Sequence, residues 1–181
     1  MKILLGVSGS IAAYKSADII SRLVKDGHNV HPVLTNGASK FITALTLQAL
    51  SKNKVHTDVF ADDEPSEISH INLPQSCDMF LVAPASANTI AKISNGLADD
   101  ILSAMALAYD GNLKFIAPAM NEKMYNNKAT QRNIQTLKDD GWQIIKPRVA
   151  RLACGYEGEG ALAKVDDIIK AIYKEENYDK K

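Results

Sequence analysis

The sequence predicts a three-layer, doubly wound α/β domain on a mostly parallel sheet. Two observations carry that prediction. Short apolar runs of strand length alternate along the chain with longer stretches of helical period, a pattern that implies parallel strands covered on both faces. Several of those runs end in glycine, proline or small polar residues that lead into a helix start. Composition agrees: 181 residues, 46% hydrophobic and 23% charged, suffice for one domain with a core that needs no staples.

Lys2–Val7 is an apolar run meeting the turn Gly6-Val7-Ser8-Gly9-Ser10, the form of a buried strand. The spacing predicts a helix over Ile11–Lys25, with Ile11, Ile19 and Leu23 facing inward and Gly27 as its stop. Asn29–Leu34 is a second strand, closed by Thr35-Asn36-Gly37. Ser39–Leu50 reads as a helix whose inner face is Phe41, Ala44, Leu45 and Ala49. Residues 51–75 are irregular, with Asp62-Asp63-Glu64-Pro65 as an exposed loop. Met79–Ala83 is a strand, and Asn88–Leu107 is helical with a break near Gly96. Lys114–Ala117 is a strand, Thr130–Asp140 a helix and Gln143–Ile145 a last strand. Pro147–Leu162 reads as loop, and Val165–Glu176 as a closing helix before a charged tail.

Charge and cysteine content exclude several classes. Lys and Arg number 21 and Asp and Glu 21, and neither half of the chain is basic, so no nucleic-acid or anionic-membrane footprint is present. Two cysteines without a CxxC pair suit neither a disulfide framework nor a zinc site. His28 and His31 lie three apart on or beside a strand and would point to opposite faces, so no metal is expected. No apolar run approaches the roughly 18 residues of a membrane span, and the first residues lack signal architecture. The expectation is a cytoplasmic, single-domain protein over residues 1–181.

In doubly wound sheets ligands bind beyond the carboxyl ends of the strands, where strand order reverses. The first such end carries Gly9 and Ser10 before a helix start, which suits an anion through free N–H groups and close backbone approach. The turn is neither GxGxxG nor a P-loop, which leaves a terminal phosphate monoester, with Ser8 and Ser10 as hydroxyl donors. It also fits an ordinary strand-to-helix turn with serine as cap. Two later exits repeat one pattern, Ala83-Pro84-Ala85 leading to Asn88 and Ala117-Pro118-Ala119 leading to Asn121. Small residues leave room for a flat ligand, and Ser, Thr and Asn supply donors and acceptors. Cys77 reads as a small core residue. Cys154 stands between Arg151 and three glycines within six residues, on a flexible flap, where a thiol suits acid or nucleophile chemistry better than packing.

Taken together, these segments resemble the flavin-containing cysteine decarboxylases. The words that carry the resemblance are Pro84-Ala85-Ser86-Ala87-Asn88-Thr89, Pro118-Ala119-Met120-Asn121-Glu122-Lys123-Met124 and Ala153-Cys154-Gly155, in the family's order and across essentially the whole chain. The family motif usually continues from methionine to tryptophan; Tyr125 stands here and keeps an aromatic ring. The resemblance implies a flavodoxin- or Rossmann-like sheet and FMN bound at Gly9, Ser10 and Ile11, at Thr35, Asn36 and Gly37, at Ser86, Ala87, Asn88 and Thr89, and at Ala119. It implies His70 and Cys154 as catalytic groups, Asn121 on the substrate carboxylate, and Arg151, Met124 and Ala153 as further substrate contacts.

The implied substrate is the small molecule phosphopantothenoylcysteine, converted to 4'-phosphopantetheine in coenzyme A biosynthesis. An N-acyl cysteine cannot lose carbon dioxide directly, because no neighbouring group accepts the electron pair. Oxidation of its thiol to a thioaldehyde creates that acceptor, carbon dioxide leaves to give an enethiol, and a hydride and a proton restore the saturated thiol. Cys154 is implied as the proton donor and His70 as proton handler or electrostatic support. Members form trimers, with the flavin between subunits and the histidine reaching in from a neighbour. Because bacterial members are often fused to a ligase that 181 residues cannot hold, a free-standing enzyme is expected. The alternatives are a peptidyl-cysteine decarboxylase of lantibiotic type, a flavin prenyltransferase, and a non-catalytic flavin-binding phosphatase regulator. The Cys154 flap argues against the first, the Pro118–Met124 word against the second, and the absence of a long acidic tail against the third.

Overall fold

The computed structural model describes residues 1–61, 68–151, 155 and 157–176. Strand β1 (Lys2–Val7) passes through a 3-10 turn (Ile11–Tyr14) into α1 (Lys15–Lys25). Strand β2 (Asn29–Leu34) and a second 3-10 turn (Ala38–Lys40) lead to α2 (Ala44–Ser51). Then follow α3 (Ser69–Gln75), β3 (Met79–Ala85), α4 (Ala87–Ser94), α5 (Ile101–Ala108) and β4 (Leu113–Pro118). The chain continues through α6 (Glu122–Tyr125), α7 (Lys128–Asp139), β5 (Gln143–Ile144), β6 (Arg148–Arg151), β7 (Glu157–Ala161) and α8 (Val165–Glu176).

The five-stranded sheet runs β2-β1-β3-β4-β5 with every pairing parallel. Side chains alternate across it, as strand geometry requires. Ile3, Leu5 and Val7 pack with Ile19, Ile20 and Leu23 of α1, Leu47 of α2 and Ile168 and Ile172 of α8. Leu4, Phe80 and Val82 face the opposite layer of Leu102 and Met105 from α5, Ile134 and Leu137 from α7, and Trp142. The three-layer doubly wound fold expected from the sequence is therefore the fold observed. No described helix is long and apolar enough to cross a membrane.

The break near Gly96 falls between α4 and α5, where Asp100 caps α5 by accepting the Ser103 amide at 2.9 Å. Four readings are corrected. Phe41, Leu45 and Ala49 do not form the inner face of their segment: Phe41 is 49% and Leu45 73% exposed, and Ala49 is exposed. Apolar residues ring α2 on all sides, so periodicity does not choose a face, and the one turned to the core carries Leu47 and Ser51. Ile11 is 60% exposed, because residues 11–14 wind as a 3-10 turn and so fall out of phase with α1. The stretch read as loop holds two strands: β6 and β7 pair antiparallel. Within the stretch read as irregular, Ser69–Gln75 forms α3.

Candidate active site

Strand order reverses between β1 and β3, and side chains stitch their carboxyl ends together. The Ser8 hydroxyl donates to the Pro84 carbonyl at 2.8 Å and accepts the Ser86 amide at 2.7 Å. Ser16 donates to the Ala83 carbonyl at 2.9 Å. Both serines are fully buried. Ser8 is thus a structural clamp rather than the phosphate donor expected from its position, since its one proton is committed to a carbonyl.

Above this clamp lies a cavity of about 500 Å³. Of the residues singled out by sequence, Gly9, Ser10, Ile11, Ser86, Ala87, Ala119, Asn121 and Met124 line it. Ser10 caps the first 3-10 turn by accepting the Ala12 amide, and Ser86 caps α4 by accepting the Thr89 amide, each at 3.2 Å. Their hydroxyl oxygens thus close the turns. Asn121 caps α6, its Oδ1 accepting the Lys123 amide at 2.9 Å.

Thr35, Asn36 and Gly37 do not line the cavity but stand directly behind it. A Cβ on Gly9 would come within 3.1 Å of the Gly37 carbonyl carbon, so the absence of a side chain at Gly9 lets these turns approach closely. Thr89 is buried, with its hydroxyl against that of Ser86 at 3.1 Å, whereas Asn88 is exposed. His70, on α3, is outside the cavity wall, and its Nδ1 is buried without a hydrogen-bond partner. Arg151 ends β6, its backbone opposite Glu157. Ala153 and Cys154 lie outside the described residues. Cys77 is buried as expected, and burial pushes its thiol up to about 11. Among the described residues no three His, Cys, Asp or Glu side chains are grouped to hold a metal ion.

Sequence reasoning missed the rest of the wall: Ala12, Tyr14, Lys15, Met120, Arg148 and the stretch 160–162. Lys15 opens α1 five residues beyond Ser10, a position that could have been read from the helix start. Arg148 was hidden because it reaches the cavity only through the hairpin. Met120 and Gly160 join there, the Met120 amide donating to the Gly160 carbonyl at 2.9 Å. Burial and the nearby Arg148 hold Lys15 below its ordinary range.

The family described as flavoprotein matches residues 1–176. A probable phosphopantothenoylcysteine decarboxylase of Streptococcus mutans is 53% identical over 94% of this chain and 96% of its own length. The coenzyme A biosynthesis bifunctional protein of Bacillus subtilis is 46% identical over 95% of this chain, which spans only 42% of that longer protein. Among solved structures, a cysteine-to-serine mutant of PPC decarboxylase complexed with pantothenoylaminoethenethiol is 33% identical, with a TM-score of 0.86 over 95% of this chain and 96% of that one. The FMN binding protein AtHal3 is 34% identical, with a TM-score of 0.82 over 95% and 94%.

Proposed function

Because the chain belongs to the flavoprotein family, we propose that it is an FMN-dependent carboxy-lyase converting phosphopantothenoylcysteine to 4'-phosphopantetheine in coenzyme A biosynthesis. The observation that carries this reading is the meeting of three strand exits, Gly9–Ser10, Ser86–Ala87 and Ala119–Asn121, on one cavity. The residues fit a flavin mononucleotide: glycines and alanines leave space for a flat ring, two helix starts lie on the wall, and among the described residues that wall bears no acidic side chain. When bound, the flavin supplies the two-electron oxidation of the substrate thiol and the later return of those electrons.

The chain's own residues do the rest. Gly9, Ser10 and Ile11 hold the flavin phosphate, and Thr35, Asn36 and Gly37 buttress that turn. Ser86, Ala87, Asn88, Thr89 and Ala119 complete the cofactor site. Asn121 orients the substrate carboxylate through a neutral amide, which matters because a tight cationic partner would oppose loss of carbon dioxide. Met124, Ala153 and Arg151 flank the substrate, and Cys154 delivers the proton that completes the saturated product. The ligand held by the relative's cysteine-to-serine mutant is an enethiol by name, as expected of an enzyme stopped before that step. His70 acts across a subunit boundary in a cytoplasmic homotrimer; its place off its own cavity wall and its unpartnered Nδ1 support that reading.

Mass spectrometry of the flavin-loaded protein incubated with phosphopantothenoylcysteine tests the assignment. Loss of carbon dioxide alone is expected. Loss of two further hydrogens would instead mark an enzyme that stops at the enethiol, as the peptide-type decarboxylases do. Cys154→Ser is expected to convert the first outcome into the second, and an unchanged substrate would overturn the reading.

A further inference from the structure

Among the described residues the cavity wall carries two cations and no carboxylate: Lys15 and Arg148 are the charged side chains on it. The ion pairs formed among the described residues join Arg22 to Asp18 and Asp166, and Lys92 to Asp99 and Asp100, and include neither. Lys15 comes from the start of α1 and Arg148 from the start of β6, so the tertiary fold brings them together. The Arg148 Nε–H donates to the Leu162 carbonyl at 3.2 Å. That bond fixes the guanidinium plane and leaves its terminal nitrogens for another acceptor. Holding two like charges together in a part-buried place is unfavourable unless a partner supplies the opposite charge.

We infer that Lys15 and Arg148 form the seat for a phosphate monoester, the one at the end of the substrate remote from its reacting cysteine. This rests on the decarboxylase reading above. A phosphate monoester carries about 1.5 to 2 negative charges at neutral pH, which matches the two cations. A planar guanidinium presents paired donors to phosphate oxygens, and an ammonium adds a compact charge. Ile11, Tyr14, Met124 and Leu162 supply an apolar lining for the pantothenoyl arm. The flavin also bears a phosphate monoester, but Arg148 belongs to the hairpin that leads to Cys154, on the substrate side of the proposed site.

The test compares flavin-loaded wild type with Lys15→Gln, Arg148→Gln and Arg148→Lys on phosphopantothenoylcysteine and on pantothenoylcysteine. Each glutamine variant should lose about 10- to 100-fold in kcat/KM on the phosphorylated substrate, mostly through KM. The loss on the unphosphorylated one should stay within about twofold, bound flavin per chain should be unchanged, and Arg148→Lys should recover part of the loss. Equal losses on both substrates would overturn the proposal, as would no loss at all. Loss of bound flavin would overturn it by assigning the seat to the cofactor's phosphate. Calorimetric titration with phosphopantothenate reads the same seat without turnover: binding should weaken in both glutamine variants, and unchanged binding would refute the seat. If wild type decarboxylates neither substrate, the decarboxylase reading fails, while the titration still decides the seat.

Discussion

His31 stands in β2 with its Nε2 buried and without a hydrogen-bond partner. Burial, then the nearby Lys2 and His56, depress its pKa from the ordinary 6.5 to about 4. The unfolded chain therefore takes up this proton before the folded one does. The stability tied to a neutral His31 is intact above pH 6.5 and is lost progressively as pH falls from there towards about 4. His31→Gln should flatten that dependence: urea melts at about pH 7.5 and about pH 4.5 should differ less for the variant than for wild type. An undiminished difference would place the acid sensitivity elsewhere. Individual residues were unevenly legible. Cys77 could be read as core from its neighbours alone. Ser8 and Ser10 looked alike as phosphate donors, and only the reversal of strand order separates them, by turning Ser8 into a clamp on Pro84.

At the scale of elements, strands and helices were legible wherever apolar residues alternate or recur at helical spacing, because burial itself imposes those periods. The hairpin was not. Its strands, Arg-Val-Ala-Arg and Glu-Gly-Glu-Gly-Ala, show little apolar alternation, and what holds them is remote in sequence. The Glu122 carboxylate accepts the Glu159 amide at 3.3 Å, and Gly160 joins Met120. Gly160 has φ of +143°, and a Cβ there would lie 2.3 Å from the Met120 carbonyl oxygen. Gly160→Ala should therefore release the hairpin at a cost of about 1–3 kcal/mol. Hydrogen exchange should speed up over 148–151 and 157–161 while the β1 and β3 amides stay protected. Unchanged exchange in the hairpin would mean that its docking does not depend on this contact.

For the whole molecule, the doubly wound order located the cavity before any side chain was considered, since ligands collect where such a sheet reverses. Eight of the site residues predicted on β1, β3 and β4 exits converge there directly, whereas His70 does not. The proposed trimer accounts for that. His70→Asn and Asn121→Asp, the latter keeping a capping oxygen for α6, should each be inactive alone. Co-expressed in equal amounts, they should regain about a quarter of wild-type activity, because random assembly pairs an intact histidine with an intact asparagine at that fraction of sites. A mixture that stays inactive would mean that each chain builds its site alone. The cavity wall also draws on residues from the stretches 9–15, 86–87 and 119–124, on Arg148 and on 160–162, a set that no unfolded chain presents together. Whatever fills it binds the native state only and favours folding by mass action, by about 2.7 kcal/mol at a hundredfold excess over Kd. Against a total stability of roughly 5–15 kcal/mol, that is enough to set the protein's survival. A cell short of flavin would then register the shortage first as chains lost to proteolysis, so that cofactor supply governs how much of the enzyme exists as well as how fast it works.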